Sequence, residues 1–417
     1  MKKALLGLAA AVLLAAAGLA AYGLYRKHEG RNIRGSSSVE FVTTQENKSK
    51  PNLTIPWPMY RFDPGRRGVP VGVPADIRPP FKLRWYFKGK SLIEFPPAIG
   101  YGRLYFANSL GTLYALHITR IRPDWTYATG RCAASTPAVA DHIVYMTFLN
   151  RPPCNATRSG IDGETVALNA ETGKVRWRVR MAPTESSPVV AGGLVYVGDW
   201  SGKVYALNAR NGRVAWTYQT GDKVKDGLAY AGGRVYFGSY DSHVYALNAR
   251  TGKLVWKAGA QQRLGARGTF YSTPAVAYGR VYIGSTDGKV YSFGATSGKL
   301  RWSHGTGSYV YASPAVWNRR VYVGSYDRNF YCFDAATGDI RWSARTSGPI
   351  NGSAVVINGV VYVASFGGRT YAFDARTGKR LWVFHRGRYA GVVADTVRLY
   401  LVGYGRLYAF FPRNRHR

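Results

Sequence analysis

Acidic residues are scarce in this chain: 22 Asp and Glu stand against 57 Lys and Arg among 417 residues, for a formal net charge of +35. Basic proteins attract polyanions, whether nucleic acid, anionic lipid or acidic wall polymers. The first 34 residues hold six Lys or Arg and one Glu, so about +30 belongs to the remainder. That charge is dispersed, with RNRHR at 413–417 the one dense run, and a solvated basic surface and a polyanion-binding surface both fit it. Glu164, Glu171 and Glu185 come nearest to an acidic cluster, yet they fall in different strands or turns.

Cysteine is also rare. Three residues permit at most one internal disulfide. Cys132 precedes STPAVA and Cys154 follows VYMTFLN, so a hairpin turning near Asp141 sets them almost opposite; a bridge and two separate buried thiols both fit. Cys332 occupies a position that holds Ala in related units, which reads as core. The seven histidines (His28, His117, His142, His243, His304, His385, His416) show no two-ligand spacing with Cys, Asp or Glu. His304 and His385 follow fourth-strand tryptophans and read as surface residues. Glycine doublets lie in hairpin turns and open no helix, so they cradle no phosphate. Asn47, Asn52, Asn155 and Asn351 match the glycosylation pattern, which carries meaning only in a eukaryotic secretory context.

Repetition, by contrast, is abundant. GDWSGKVYALNARNGRVAW ends at Trp216 and GSYDSHVYALNARTGKLVW at Trp256. Eight of the eleven tryptophans (Trp85, Trp125, Trp177, Trp216, Trp256, Trp302, Trp342, Trp382) mark one period of about 40 residues, stretched between Trp125 and Trp177 and between Trp256 and Trp302. Within a unit, short alternating runs rich in Val, Tyr and Phe read as strands, as in SSPVVAGG, LVYVGDW, KVYALNA and RVAWTYQT. Gly192-Gly193, Ser201-Gly202 and Asn211-Gly212 supply the turns between them. Asp241, Asp287 and Asp327 recur at one turn position, where a short polar side chain caps its own backbone. A four-stranded meander cannot bury both faces alone, whereas meanders arranged radially cover one another. The pattern therefore predicts an all-β, eight-bladed β-propeller of four-stranded antiparallel blades. FKLRWYF at 81–87 is a lone fourth strand, and the last unit, 392–410, lacks one, so the two are expected to close the ring.

The spacing Ala-x5-Gly-x3-Trp occurs as Ala167, Gly173, Trp177; Ala206, Gly212, Trp216; Ala246, Gly252, Trp256; and Ala372, Gly378, Trp382. Ser292 and Cys332 replace the alanine in two units, and Ile121 replaces the glycine in the first. This spacing resembles the tryptophan-docking motif of propellers that resemble pyrroloquinoline quinone (PQQ) dehydrogenases, a superfamily that includes the BamB-type outer-membrane assembly scaffold. WPMYRFDPGRRG at 57–68 is similar to the segment that often precedes such propellers. The resemblance covers residues 57–417 and implies a structural role for the tryptophans, each packing on a neighbouring blade. It also implies, for an enzyme of the class, a tricarboxylic quinone held with Ca²⁺ beside a carboxylate base. The adjacent cysteine pair and Cys-x-x-Cys-His haem site of such enzymes do not occur here, so no cofactor is expected; PQQ with Ca²⁺ is the alternative.

At the N-terminus, residues 1–3 carry two lysines and residues 4–25 carry no charge, which reads as a transmembrane signal anchor, with cleavage near Ala20-Ala21 as the alternative. No cysteine follows the apolar run, which departs from lipoprotein anchoring. Residues 26–80 read as a flexible tether and leader and residues 81–417 as the propeller. Charge flanking the helix favours a cytoplasmic propeller, while the candidate disulfide and the family's envelope location favour an extracytoplasmic one, which is the expectation.

Connections from each fourth strand to the next first strand share one face of the disc. Their Tyr and Arg content marks a candidate binding face of Arg263, Arg267, Tyr271, Tyr309, Tyr311, Arg345, Arg386, Arg388 and Tyr389, although ordinary loop residues would read the same way. The expected function is a membrane-anchored, non-catalytic binding or assembly scaffold whose partner is another protein or an anionic envelope polymer. A PQQ-dependent oxidoreductase with a divergent site is the alternative. Nucleic acid is an expected partner only for a cytoplasmic disc.

Overall fold

The computed structural model describes residues 12–20, 30–43, 51–154, 160, 162–263 and 266–413. Eight four-stranded antiparallel sheets follow the repeat, numbered here as blades one to eight from Ala98–Gly100 onward. Blade eight takes three strands from the C-terminal end, Val393–Ala394, Leu399–Gly403 and Arg406–Pro412, and its outer strand from Phe81–Lys88. Phe81 lies opposite Pro412 and Lys88 opposite Arg406, so main-chain hydrogen bonds close the ring.

The alternation read from the sequence matches the packing. In Arg234–Gly238 and His243–Asn248 the apolar side chains are buried on both sides, because adjacent blades cover both faces of the inner strands. Outer strands are half-exposed, as in Leu254–Gly259. Six tryptophan indoles reach the next blade. The Nε1 atoms of Trp125, Trp177, Trp216, Trp256, Trp302 and Trp342 donate to the carbonyls of Ala170, Ala209, Ala249, Ala295, Ala335 and Ala375 at 2.9–3.2 Å. Gly252, at φ +71°, lies so close to the Trp216 ring that a Cβ would sit 2.7 Å from it. Trp85 and Trp382 make aromatic contacts instead, with Tyr400 and with Phe81 and Phe410.

Cys132 and Cys154 are joined by a disulfide, with Cα atoms 5.5 Å apart, across the hairpin of blade two. Cys332 is a free, buried thiol, and the surrounding core pushes it up to about 12. Asp241, Asp287 and Asp327 cap their turns through the amides of His243, Lys289 and Asn329 at 2.8–3.1 Å, and each accepts a tyrosine hydroxyl, from Tyr245, Tyr291 and Tyr331.

Two N-terminal expectations meet the described residues only in part. Among the described residues no helix is long and apolar enough to cross a membrane; residues 12–20 are helical, and the rest of the expected 4–25 span lies outside the described residues. The flexible tether of 26–80 is corrected for its described parts. Residues 57–68 run across the inner end of the ring, where the amides of Ile99, Val139, Tyr230, Val276, Val316 and Val356 donate to the carbonyls of Trp57, Pro58, Pro64, Gly65, Arg67 and Gly68. The innermost strands of six blades (one, two and four to seven) are thereby tied to the leader. Its composition cannot fold alone, but inner-strand amides left over by the ring supply the missing partners.

Arg61 and Arg66, 2 % and 0 % exposed, lock this plug. Arg61 donates to the carbonyls of Arg66, Ser313, Pro314 and Ala354. Arg66 donates to those of Leu228, Tyr60, Ser187 and Pro188. Burial lowers both guanidinium groups to about 10, and both stay charged at neutral pH. Residues 30–43 are also bound, along blade five and against the Thr337–Asp339 turn of blade six.

Candidate functional site

The plug closes one face of the central channel and leaves a funnel on the other, the face of the fourth-to-first strand connections. The funnel narrows to a cavity of about 50 Å³, whose lining includes Tyr60, Glu94, Glu185, Lys225, Asp226, Tyr271, Tyr311, Asn351, Ser353 and Tyr389. Tyr60 comes from the leader, and its hydroxyl is 2.5 Å from Ser353 Oγ. Burial raises its pKa, so the phenol stays protonated at neutral pH.

Above the cavity runs an aromatic arc set by one repeat position. Trp200, Tyr240, Tyr326 and Phe366 each follow the second strand of their blade, and each amide donates to the incoming connection, at Pro183, Lys223, Tyr309 and Pro349. Leu149 and Thr286 occupy the same position in blades two and five. Ring contacts continue around the mouth from Tyr240 to Tyr271, Tyr311, Tyr326, Phe366 and Tyr389, with centroids 4.9–6.1 Å apart. Two cations sit in this arc. Lys225 Nζ lies 4.9, 5.6 and 5.2 Å from the Trp200, Tyr240 and Tyr271 rings, and Arg388 lies 4.8–5.4 Å from those of Phe366, Tyr389 and Tyr404.

The floor is acidic. Glu185 accepts from Lys225 Nζ at 3.0 Å and from Trp200 Nε1 at 3.2 Å. Burial raises its carboxyl to about 7, against the opposing pull of Lys225. Asp226 accepts from the Gly227 and Thr273 amides at 2.7 and 2.8 Å, and burial raises its pKa. Glu94 is raised by burial alone. Tyr271 is held well above its usual value by the charge of Glu185 and then by burial.

Of the residues expected on the binding face, Tyr271, Tyr311 and Tyr389 line the funnel, and Arg388 and Tyr309 stand at its mouth. Arg345 is exposed and donates to the Asp327 carbonyl at 3.0 Å, and Arg386 lines an adjoining surface depression with Lys88, Lys90 and Tyr404, whose ring also faces Arg388 at the mouth. Arg263 and Arg267 lie in the two-stranded hairpin Gln262–Arg263 and Ala266–Arg267. Glu164, Glu171 and Glu185 are not brought together. Glu164 is 1 % exposed beside Arg131, and Glu171 pairs with His142 on the surface. His304 is half-buried against Phe333, while His385 is exposed. Among the described residues no group of three His, Cys, Asp or Glu could hold a metal ion.

Sequence reading missed the arc at 200, 240, 326 and 366 and the floor of Tyr60, Glu94, Lys225 and Asp226. The arc was available as an aligned column, since GDW, GSY, GSY and ASF put an aromatic at the same place. The floor carries no periodic signal.

The lining does not fit the quinone of the enzymes in this superfamily. A tricarboxylate would face Glu94, Glu185 and Asp226 with Lys225 the one cation among the lining residues, and among the described residues these carboxylates form no group that could hold a Ca²⁺ ion to offset them. A cavity of about 50 Å³ holds a few water molecules at most.

No curated protein matches the sequence. Among solved structures, BamB from Moraxella catarrhalis aligns at 18% identity and a TM-score of 0.67, covering 80% of this chain and all of that one. The quinohemoprotein alcohol dehydrogenase of Comamonas testosteroni aligns at 14% identity and a TM-score of 0.72, covering 89% of this chain and 82% of that one. A computationally designed protein aligns at 16% identity and a TM-score of 0.64, covering 78% of this chain and 97% of that one. At these identities the likeness shows the fold alone. A family model described as outer membrane protein assembly factor BamB matches residues 82–223, 161–309 and 305–415, and the chain belongs to that family of PQQ-like β-propellers.

Proposed function

We propose that this chain is a membrane-anchored, extracytoplasmic, non-catalytic scaffold that captures a protein partner at the funnel. The aromatic arc carries this reading. Rings on successive blades, two of them exposed through Tyr309 and Tyr404 at 50% each, form a contiguous surface with cations already embedded, the composition in which interface energy concentrates. The anchor is the apolar span 4–25, and the disulfide in blade two suits an oxidising compartment. Beneath the arc, an acidic floor inside a chain of +35 favours a partner that presents a basic side chain.

Photo-crosslinking amino acids at Tyr326 and Tyr404, on the funnel mouth, and at Asn318 and Arg210, in turns of the opposite face, test the assignment in intact cells. One recurrent protein adduct from the funnel positions, absent from the other two, is expected. Equal labelling from both faces overturns it. Quinone absorbance and dye reduction on titrating the purified protein with PQQ and millimolar Ca²⁺ would replace the scaffold reading with an oxidoreductase. Binding to anionic polymer that collapses with added salt, without a protein adduct, would replace it with a polyanion binder.

A further inference from the structure

Blade five lacks a side chain that its neighbours use. The turn between third and fourth strands is capped in blades two, three, four, six and seven by Asn169, Asn208, Asn248, Asp334 and Asp374, whose Oδ1 accepts the amides two and three residues on at 2.8–3.2 Å. In blade one the His117 ring does so at 3.3 Å. Blade five has Gly294 there. Its turn is capped by Glu40, 254 residues earlier in the chain, whose Oε1 accepts from Thr296 and Ser297 at 3.0 and 2.9 Å. A Cβ on Gly294 would sit 1.9 Å from Glu40 Oε2, so the missing side chain is the room for the glutamate.

The rest of the segment is held with equal care. Arg280, 0 % exposed, donates to the carbonyls of Ser36, Val39 and Glu40 at 2.6–2.9 Å. Arg301 pairs with the Glu40 carboxylate at 2.5 Å, and Phe41 stacks on Tyr278 at 5.4 Å. Ile33 exchanges two main-chain hydrogen bonds with Ser303 on the outer edge of the blade. The strand direction is fixed at both ends: the Arg31 carbonyl meets Lys289 beside the funnel-face turn, and Glu40 meets the turn on the opposite face.

We infer that blade five is a built receptor for the chain's own Glu-Phe-bearing segment, residues 31–42, and that this strap fixes how the disc hangs from its anchor. The inference rests on the proposed anchor. From Tyr25 to Arg31 is six residues, which span at most about 20 Å. A docked strap therefore holds the funnel-side rim of blade five within about that distance of the bilayer surface, with blade one across the ring farther away. Release of the strap frees the disc to reorient. The receptor's ligand class is an extended acidic-aromatic peptide, and its buried arginine and empty turn cap set that preference.

The test uses the full chain in detergent and then in phosphatidylcholine vesicles. Gly294→Asn supplies the turn with its own cap and evicts Glu40, so cleavage within 31–42 by added protease should rise about tenfold while the thermal midpoint holds. Glu40→Ala should raise cleavage similarly but lower the midpoint, because the turn then has no cap. Protection of 31–42 unchanged in Gly294→Asn overturns the receptor. For orientation, dyes at Tyr309→Cys in the connection after blade five and at Leu110→Cys in blade one are compared against a headgroup-attached quencher. Stronger quenching at 309, equalised by Gly294→Asn, is expected, and equal quenching without that substitution overturns the orientation. Failure of the chain to float with vesicles would reject the anchor while leaving the protease result standing.

Discussion

Glu185 concentrates the chemistry of the funnel in one titration. It faces Lys225 and Trp200 directly, with Asp226, Glu94 and Tyr271 adding negative or potentially negative charge around it. Its folded value, about 7, lies above the ordinary carboxyl value of 4.5, so the folded state holds the proton more tightly than the unfolded chain. The stabilisation is full below pH 4.5 and is lost as pH rises through 7. Its size is on the order of 3 kcal/mol. Urea unfolding of Glu185→Gln, followed at pH 5 and pH 8, should show a smaller fall in stability than the parent, and a parallel fall would assign the pH dependence to Asp226 and Glu94, which burial shifts in the same direction. The arginines of the plug mark the limit of sequence reading at this scale. Arg61 and Arg66 sit in WPMYRFDPGRRG, where aromatic, proline and basic residues mix without periodicity, and their partners are carbonyls from four connections far along the chain. No pattern in a single sequence announces which carbonyls a folded ring leaves unpaired.

At the scale of elements, the strand and turn pattern was legible because period-2 alternation and glycine turns repeat in every unit, and each repetition checks the others. Blade interfaces add a glycine whose reason lies outside its own blade. Gly252 needs positive φ and also leaves room for Trp216 of the preceding blade, as Gly212 does for Trp177. Gly252→Ala should lose about 2 kcal/mol or more, from backbone strain together with a displaced indole. Differential scanning calorimetry reads the loss, and near-ultraviolet circular dichroism reads the movement of the tryptophan. A loss under about 0.5 kcal/mol with an unchanged spectrum would show that the docking is loose. Ile121 takes the same turn position in blade one at φ +56°, and its partner in sequence, Trp85, packs on Tyr400 instead. The departure from glycine falls where the indole is not docked in the repeated way. What the repeat could not reveal was the strap, because its sign in the sequence is the absence of one Asn or Asp at Gly294, and only the structure shows who fills the gap.

For the whole molecule, the ring is a closed sequence of neighbours with one seam that differs in kind. Seven blades are continuous in the chain, whereas blade eight joins strands more than 300 residues apart, so its closure converts an open, solenoid-like array into a ring that unfolds together. Arg406–Pro412 is the strand on which closure depends, since it pairs with Leu399–Gly403 on one side and with Phe81–Lys88 on the other. Ala409 is fully buried, opposite both Trp85 and Tyr400. Proline there removes an amide donor from the ladder and costs about 3 kcal/mol or more at the site. The larger consequence is loss of cooperativity. Ala409→Pro should convert one thermal transition into a broad or stepped one, beginning at the seam and leaving blades two to seven partly folded, with a smaller denaturant dependence for the first step. Because the leader ties the inner strands of six blades to residues 57–68 and enters the ring next to the seam strand, a released seam should also loosen the plug. Hydrogen exchange would then rise at Phe81–Lys88 and at the amides of Ile99 and Val356 before it rises at Val276 and Val316, which lie farther around the ring. A single sharp transition with uniform exchange would instead mean that the plug, and not the seam, holds the circle closed.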